Sequence, residues 1–110
     1  MPVEVKPLFT GILDAGRHEV YTCPNDKRAA VLIVRVKNKA PEPIGVSVDG
    51  NWNDEAGDIE QFPDNYEVLP GHIACDFNFK LFFDGGGKLI VRVATGGLIH
   101  CYIGGFERPI

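Results

Sequence analysis

The sequence predicts an all-β chain: a single-domain antiparallel β-sandwich, jelly-roll-like, of about seven or eight strands. Three observations predict it. Apolar and polar residues alternate with a period of two, and no stretch sustains a helical period over three turns. Thirteen glycines and eight prolines interrupt the alternation, and Pro-Gly, Asp-Gly and Gly-Gly pairs fall where turns are needed. The length of 110 residues suits one hydrophobic core.

The elements follow in order. Val3–Phe9 is extended and carries Pro7, which confines it to an edge or an arm. His18–Cys23 is a strand after an Asp14-Ala15-Gly16 turn. Ala29–Asn38 is β-branched, with Arg35 and Lys37 on one face and Leu32, Val34 and Val36 on the other. Ile44–Val48 follows a Pro-Glu-Pro turn, and Tyr66–Leu69 is short. His72–Phe83 is long, with Ile73, Cys75, Phe77, Phe79, Leu81 and Phe83 on one face. Lys88–Thr95 comes after the Asp84-Gly85-Gly86-Gly87 turn, and Leu98–Gly104 closes the chain after Gly96-Gly97. The predicted core is Phe77, Phe79, Leu81, Phe83, Leu89, Val91, Val93, Leu32, Val34 and Val36, with Phe9 and Phe62 at its margin. The expected organisation is an arm or edge strand over 1–10, the β-domain over 11–107 and a fraying tail over 108–110.

Composition excludes several functions. The net charge of −4 argues against sequence-independent nucleic-acid binding and against a polybasic membrane anchor. The apolar runs are too short for a membrane helix. The start, MPVEVKPLFTG, has no apolar signal region. Cys23, Cys75 and Cys101 are odd in number and include no C-x-x-C pair, so they read as buried apolar thiols in a reducing compartment.

The stretch DGNWNDEAGDIE resembles a calcium loop in spacing. Asp49, Asn51, Asn53, Glu55 and Glu60 stand at its positions 1, 3, 5, 7 and 12. It departs at the sixth position, where the turn demands glycine and the chain has Asp54. The flanks are not helices: the strand Ile44–Val48 precedes it and a proline-bearing segment follows. The alternative is a solvated acidic turn bent by Gly50 and Gly57. Trp52 is either folded over its own sheet or offered to a partner.

Catalysis is not expected. His18, His72 and His100 lie on or beside different strands, and nothing places them next to a cysteine. His100 and Cys101 are strand neighbours and face opposite ways. The carboxylate pairs Asp54/Glu55 and Asp58/Glu60 share one loop rather than a rigid frame.

The run EVYTCPNDKRAAVLIVRVKN, Glu19–Asn38, resembles a pattern of small virion structural proteins of tailed bacteriophages. A Tyr-Thr-x-Pro turn there leads into a long Ala/Val strand ending in Asn. LPGHIACDFNFKLFFDGGGKLIVRV, Leu69–Val93, and HCYIGGFE, His100–Glu107, are similar to the later strands of that family. The likeness covers roughly Gly11–Glu107, and the segment Asn51–Pro63 is longer and more acidic than the pattern. The resemblance implies a non-enzymatic capsid decoration (cement) protein, or a tail, neck or fibre-base component. It further implies a symmetric homo-oligomer, a trimer above others, made in the host cytoplasm and carried in the virion, with the major capsid protein or tail and neck proteins as partners and without a cofactor. Val3, Val5, Phe9, Trp52 and Phe62 are the candidate partner-binding residues. A different reading is a carbohydrate-binding β-sandwich, with calcium at Asp49–Glu60 and Trp52 stacked on a sugar.

Overall fold

Alternation and turn chemistry produce eight strands among the described residues: β1 Lys6–Thr22, β2 Lys27–Asn38, β3 Ile44–Asn51, β4 Ile59–Glu60, β5 Tyr66–Val68, β6 Ile73–Asp76, β7 Leu81–Phe83 and β8 Lys88–Pro109. The computed structural model describes residues 5–52, 57–60, 66–76 and 81–109; for Glu60, Tyr66, Cys75 and Asp76 it describes the backbone alone. Val3, Asn53, Glu55, Phe62, Phe77 and Phe79 lie outside the described residues.

All the pairings are antiparallel and join one sheet. The all-β antiparallel class is what the structure shows, and the pairing runs continuously rather than in two separate sheets. β8 is its axis. One edge of β8 pairs with β1 from Lys6↔Gly105 to Thr22↔Lys88. The other edge is divided: Val93 to Lys88 pairs with β3, and Ile99 to Pro109 pairs with β2. β6 and β7 continue beyond β2, while β4 and β5 continue beyond β3.

Two expected turns are corrected. Asp14-Ala15-Gly16 and Gly96-Gly97 do not reverse the chain; they lie inside β1 and β8. A register shift falls between Asp14 and Gly16, and on the facing strand Val93 and Leu98 bracket the corresponding irregularity. Both strands bend there and keep going, which is the role of a bulge rather than a turn. The separate strands Val3–Phe9 and His18–Cys23 are therefore one, as are Lys88–Thr95 and Leu98–Gly104. Nor does the tail fray from residue 108: Arg108 and Pro109 pair with Arg28 and Lys27.

The bend brings distant parts of β1 together. Lys6 and Tyr21, about 50 Å apart on a straight strand at ~3.3 Å per residue, both reach Glu107. The Tyr21 hydroxyl donates to Glu107 Oε2 at 2.6 Å, and Lys6 Nζ lies 3.4 Å from Oε1. The sheet thus folds over on its apolar face.

Inside that fold lie Val31, Val34, Val36, Phe83, Leu89, Val91, Ile99, Cys101 and Ile103, each at most 2% exposed, packed with Val46, Val48 and Leu81. Each such burial stabilises by roughly 1.5–3 kcal/mol. Leu32 was expected inside and is only half-buried, because a bulge between Val31 and Ile33 rotates it off the core face and puts Val31 there instead.

Local chemistry fixes the strand ends. Asn38 ends β2 with its side chain buried. Its Nδ2 donates to the carbonyls of Glu42 and Val68 at 2.7 and 2.8 Å, and its Oδ1 accepts from the Ala40 amide at 2.7 Å. That shapes the Pro-Glu-Pro turn into β3. After β7, Gly86 holds φ +88°, a conformation that favours glycine. A Cβ on Gly85 would come within 2.6 Å of the Asn25 backbone. The glycine run is a tight turn seated against Asn25.

Candidate functional site

The acidic stretch begins as strand. Asp49 and Asn51 belong to β3, and Asp49 pairs with Glu60 of β4 across the hairpin. The Asp49 side chain is buried. Its carboxylate accepts two bonds from Arg92, from Nε at 2.7 Å and Nη2 at 3.3 Å. Arg92 sits opposite Ser47, so the pair is a diagonal cross-strand contact. At the other end, Asp58 accepts from Arg17 Nε and Nη2 at 2.8 and 3.1 Å and from Asn51 Nδ2 at 2.9 Å. Arg17, then Asn51, hold the Asp58 carboxyl below the usual carboxylate range. Ile90 lies fully buried on this same face.

The chemistry follows from those partners. A cation at Asp49 competes with a guanidinium already bonded through two nitrogens, and such bidentate pairs are among the stronger ones. Among the described residues, no three His, Cys, Asp or Glu side chains form a metal-binding group.

Trp52 folds back over its own sheet. Its ring stacks on Phe83, with centroids 5.2 Å apart, and its indole N–H donates to the Phe82 carbonyl at 2.7 Å. That carbonyl lies on β7, so the indole covers a hydrogen-bonding group of a short strand. Phe9 also packs against the core, whereas Val5 is 46% exposed.

The remaining titratable groups are structural in their contacts. Cys23 is buried, with carbonyl oxygens around its sulfur, the nearest being Lys27 O at 3.3 Å. Burial pushes its thiol up, and burial pushes the Cys101 thiol up to about 12. Neither is a thiolate nucleophile near neutral pH. His18 donates to the Asp14 carbonyl at 2.8 Å, and His100 lies 3.4 Å from the Thr10 hydroxyl.

The Tyr21–Glu107 contact makes stability depend on pH at both extremes. Burial, then the bond to Glu107, raise the Tyr21 phenol well above its ordinary value of 10. A raised acid contributes fully below pH 10 and loses that contribution as the unfolded phenol ionises above it. The Glu107 carboxyl is lowered by the Tyr21 hydroxyl first and by Lys6 next. Its contribution is present above about pH 4.5, the ordinary value, and fades as pH falls through the depressed one. Tyr21→Phe is therefore expected to flatten the loss of thermal stability above pH 10. Melting temperatures of both proteins between pH 9 and 11 check this, and parallel declines would contradict it.

Two features were missed in the sequence. The first is the extent of the edge that Pro7 marked in Val3–Phe9: among the described residues β1 pairs with β8 alone as far as Thr22, which alternation does not disclose. The second is a cleft of about 290 Å³ on the outer face, lined by Arg28, Ala30, Phe82, Asp84, Phe106 and Arg108. A signal for it existed. Leu81 and Phe83 point inward, so Phe82 is an aromatic residue at an outward position, and it is 64% exposed.

No protein-family model matches this chain, and no curated protein matches it.

Proposed function

We propose that this chain is a non-enzymatic structural protein of a tailed-bacteriophage virion, a capsid decoration protein that stabilises the shell by binding it as a symmetric oligomer. The observation that carries the reading is the edge of β1, Lys6–Thr22, that no strand covers among the described residues and whose first residues follow directly from the N-terminal stretch. An open edge accepts or donates a strand through main-chain hydrogen bonds. Shell stabilisation then follows from mass action, since a ligand that binds only the assembled state favours it. The likeness of Glu19–Asn38, Leu69–Val93 and His100–Glu107 to phage virion proteins supports the same class, in which a tail, neck or fibre-base position is the neighbouring reading. The sugar-binding reading gains nothing from the site: Trp52 gives one ring face to Phe83, and Asp49 is engaged by Arg92.

The test is co-sedimentation with expanded, undecorated phage shells, followed by melting of the shells. Full-length protein is expected to sediment with the shells and raise their melting temperature. A variant lacking Met1–Val5, which keeps β1 whole, is expected to bind more weakly. Failure of the full-length protein to bind any such shell would overturn the proposal.

A further inference from the structure

The outer face of β1, β8, β2, β6 and β7, on the half of the sheet that holds Ile99–Pro109, differs from the other outer face in how its charges are arranged. The register places its residues in rows. Ile12, His100, Lys37 and Ile73 stand side by side across four strands. Thr10, Tyr102 and Arg35 form the next row. Phe106, Ala30 and Phe82 form another, and Arg108 faces Arg28 at the end. The 290 Å³ cleft lies over those last two rows.

Cations outnumber carboxylates among the described residues of this face, where Asp84 and Asp14, the latter opposite Leu98, are the exposed acids. Arg28 meets Asp84 at 3.4 Å. Arg35, Lys37 and Arg108 are exposed and make no ion pair among the described residues. The opposite face pairs its charges internally, through Arg17–Asp58, Arg17–Glu19, Lys88–Glu19 and Arg92–Asp49. Between the cations are large apolar side chains open to solvent: Phe82 at 64%, Ile12 at 60%, Ile73 at 47% and Leu98 at 37%. An apolar surface rimmed by unpaired cations is the complement of an acidic protein surface.

We propose that this face docks on the acidic side of a second copy of the same chain. Charge complementarity selects that partner. The chain as a whole carries −4, so concentrating unpaired Arg and Lys here leaves the remainder more acidic still. Glu42 and Glu67, both exposed and without an ion pair among the described residues, belong to that remainder, beside β3 and on β5. A contact between unlike surfaces is head-to-tail and closes into a ring when its rotation allows. A chain of net charge −4 repels a polyanion, so single-stranded nucleic acid is the poorer partner. The proposal deepens the oligomer assumed in the virion reading and rests on it only there: it concerns the self-contact, not the β1 edge.

Sedimentation equilibrium of the full chain tests it, at about 0.05 M and about 1 M salt, where the screening length falls from over 10 Å to about 3 Å. Wild type is expected to form a closed oligomer that weakens with salt. Arg35→Glu/Lys37→Glu, at exposed sites, is expected to raise the dissociation constant about tenfold or more. Phe82→Ser is expected to weaken assembly at both salt concentrations. A wild type that stays monomeric, or an oligomer indifferent to the charge reversal, overturns the proposal. So does tight binding of a single-stranded DNA oligonucleotide that the reversal abolishes. Shell co-sedimentation of the charge-reversed chain separates the two readings, because loss of the self-contact leaves the β1 edge intact.

Discussion

Gly105→Ala is expected to remove a large part of the chain's stability at 25 °C. Gly105 lies on β8 opposite Val31, buried where Leu8, Ala30 and β8 converge. A Cβ there would overlap the Ala30 carbonyl oxygen and press on Leu8. The oxygen belongs to the backbone and cannot swing aside as a side-chain tip can. Relief requires β2 to move from β8, which opens the row of pairs from Lys27 to Asn38. The cost is on the order of 4 kcal/mol or more, against a total of about 5–15 kcal/mol for a domain of this size. Circular dichroism and urea unfolding read the outcome. A variant with an unfolding midpoint close to wild type would show that β2 and β8 approach less closely than described.

Phe83→Ala carries the next largest effect. Phe83 is 1% exposed and joins the end of β7 to the core while stacking on Trp52. Removing the ring leaves a cavity and strips Trp52 of its aromatic neighbour, a loss of about 3–5 kcal/mol. A second signal accompanies the first. The single tryptophan of the chain is expected to shift its emission to the red in the folded variant, because solvent reaches the face that Phe83 covered. Destabilisation without that shift would mean that Trp52 is held by its bond to the Phe82 carbonyl alone.

Much of the fold was legible in the sequence, for a physical reason. Where one face is buried, alternation is forced, so Val34, Val36, Leu81, Phe83, Leu89, Val91 and Val93 are identifiable as core from the sequence. The bulges were not. A glycine pair has the same composition whether it reverses a strand, as Gly86 helps to do, or lets it bend and continue, as Gly96 does. Only the pairing partner decides, and that partner is far away in sequence. The same limit hid the charge network. Asp49, Arg92, Arg17 and Asp58 are ordinary surface residues in sequence; the register of three strands brings them together. The acidic spacing that resembled a calcium loop was real as spacing, but it fell across a strand end whose first carboxylate has an arginine partner.

β8 has a consequence for how the chain reaches its native state. β1, β2 and β3 each depend on β8 for their main pairings, yet β8 is the last of the eight strands to be synthesised. Lys6 waits for Gly105, and Thr22 waits for Lys88. Until then β1 has no strand partner among the described residues, β2 and β3 have only their minor ones, and their apolar faces stay open. Closing such long loops before any contact rewards the closure is slow, so folding is expected in milliseconds to seconds rather than microseconds. The register of β8 is then the step at which the chain commits to its topology, and the bends near Gly16 and Gly96 decide whether one strand can template both halves at once.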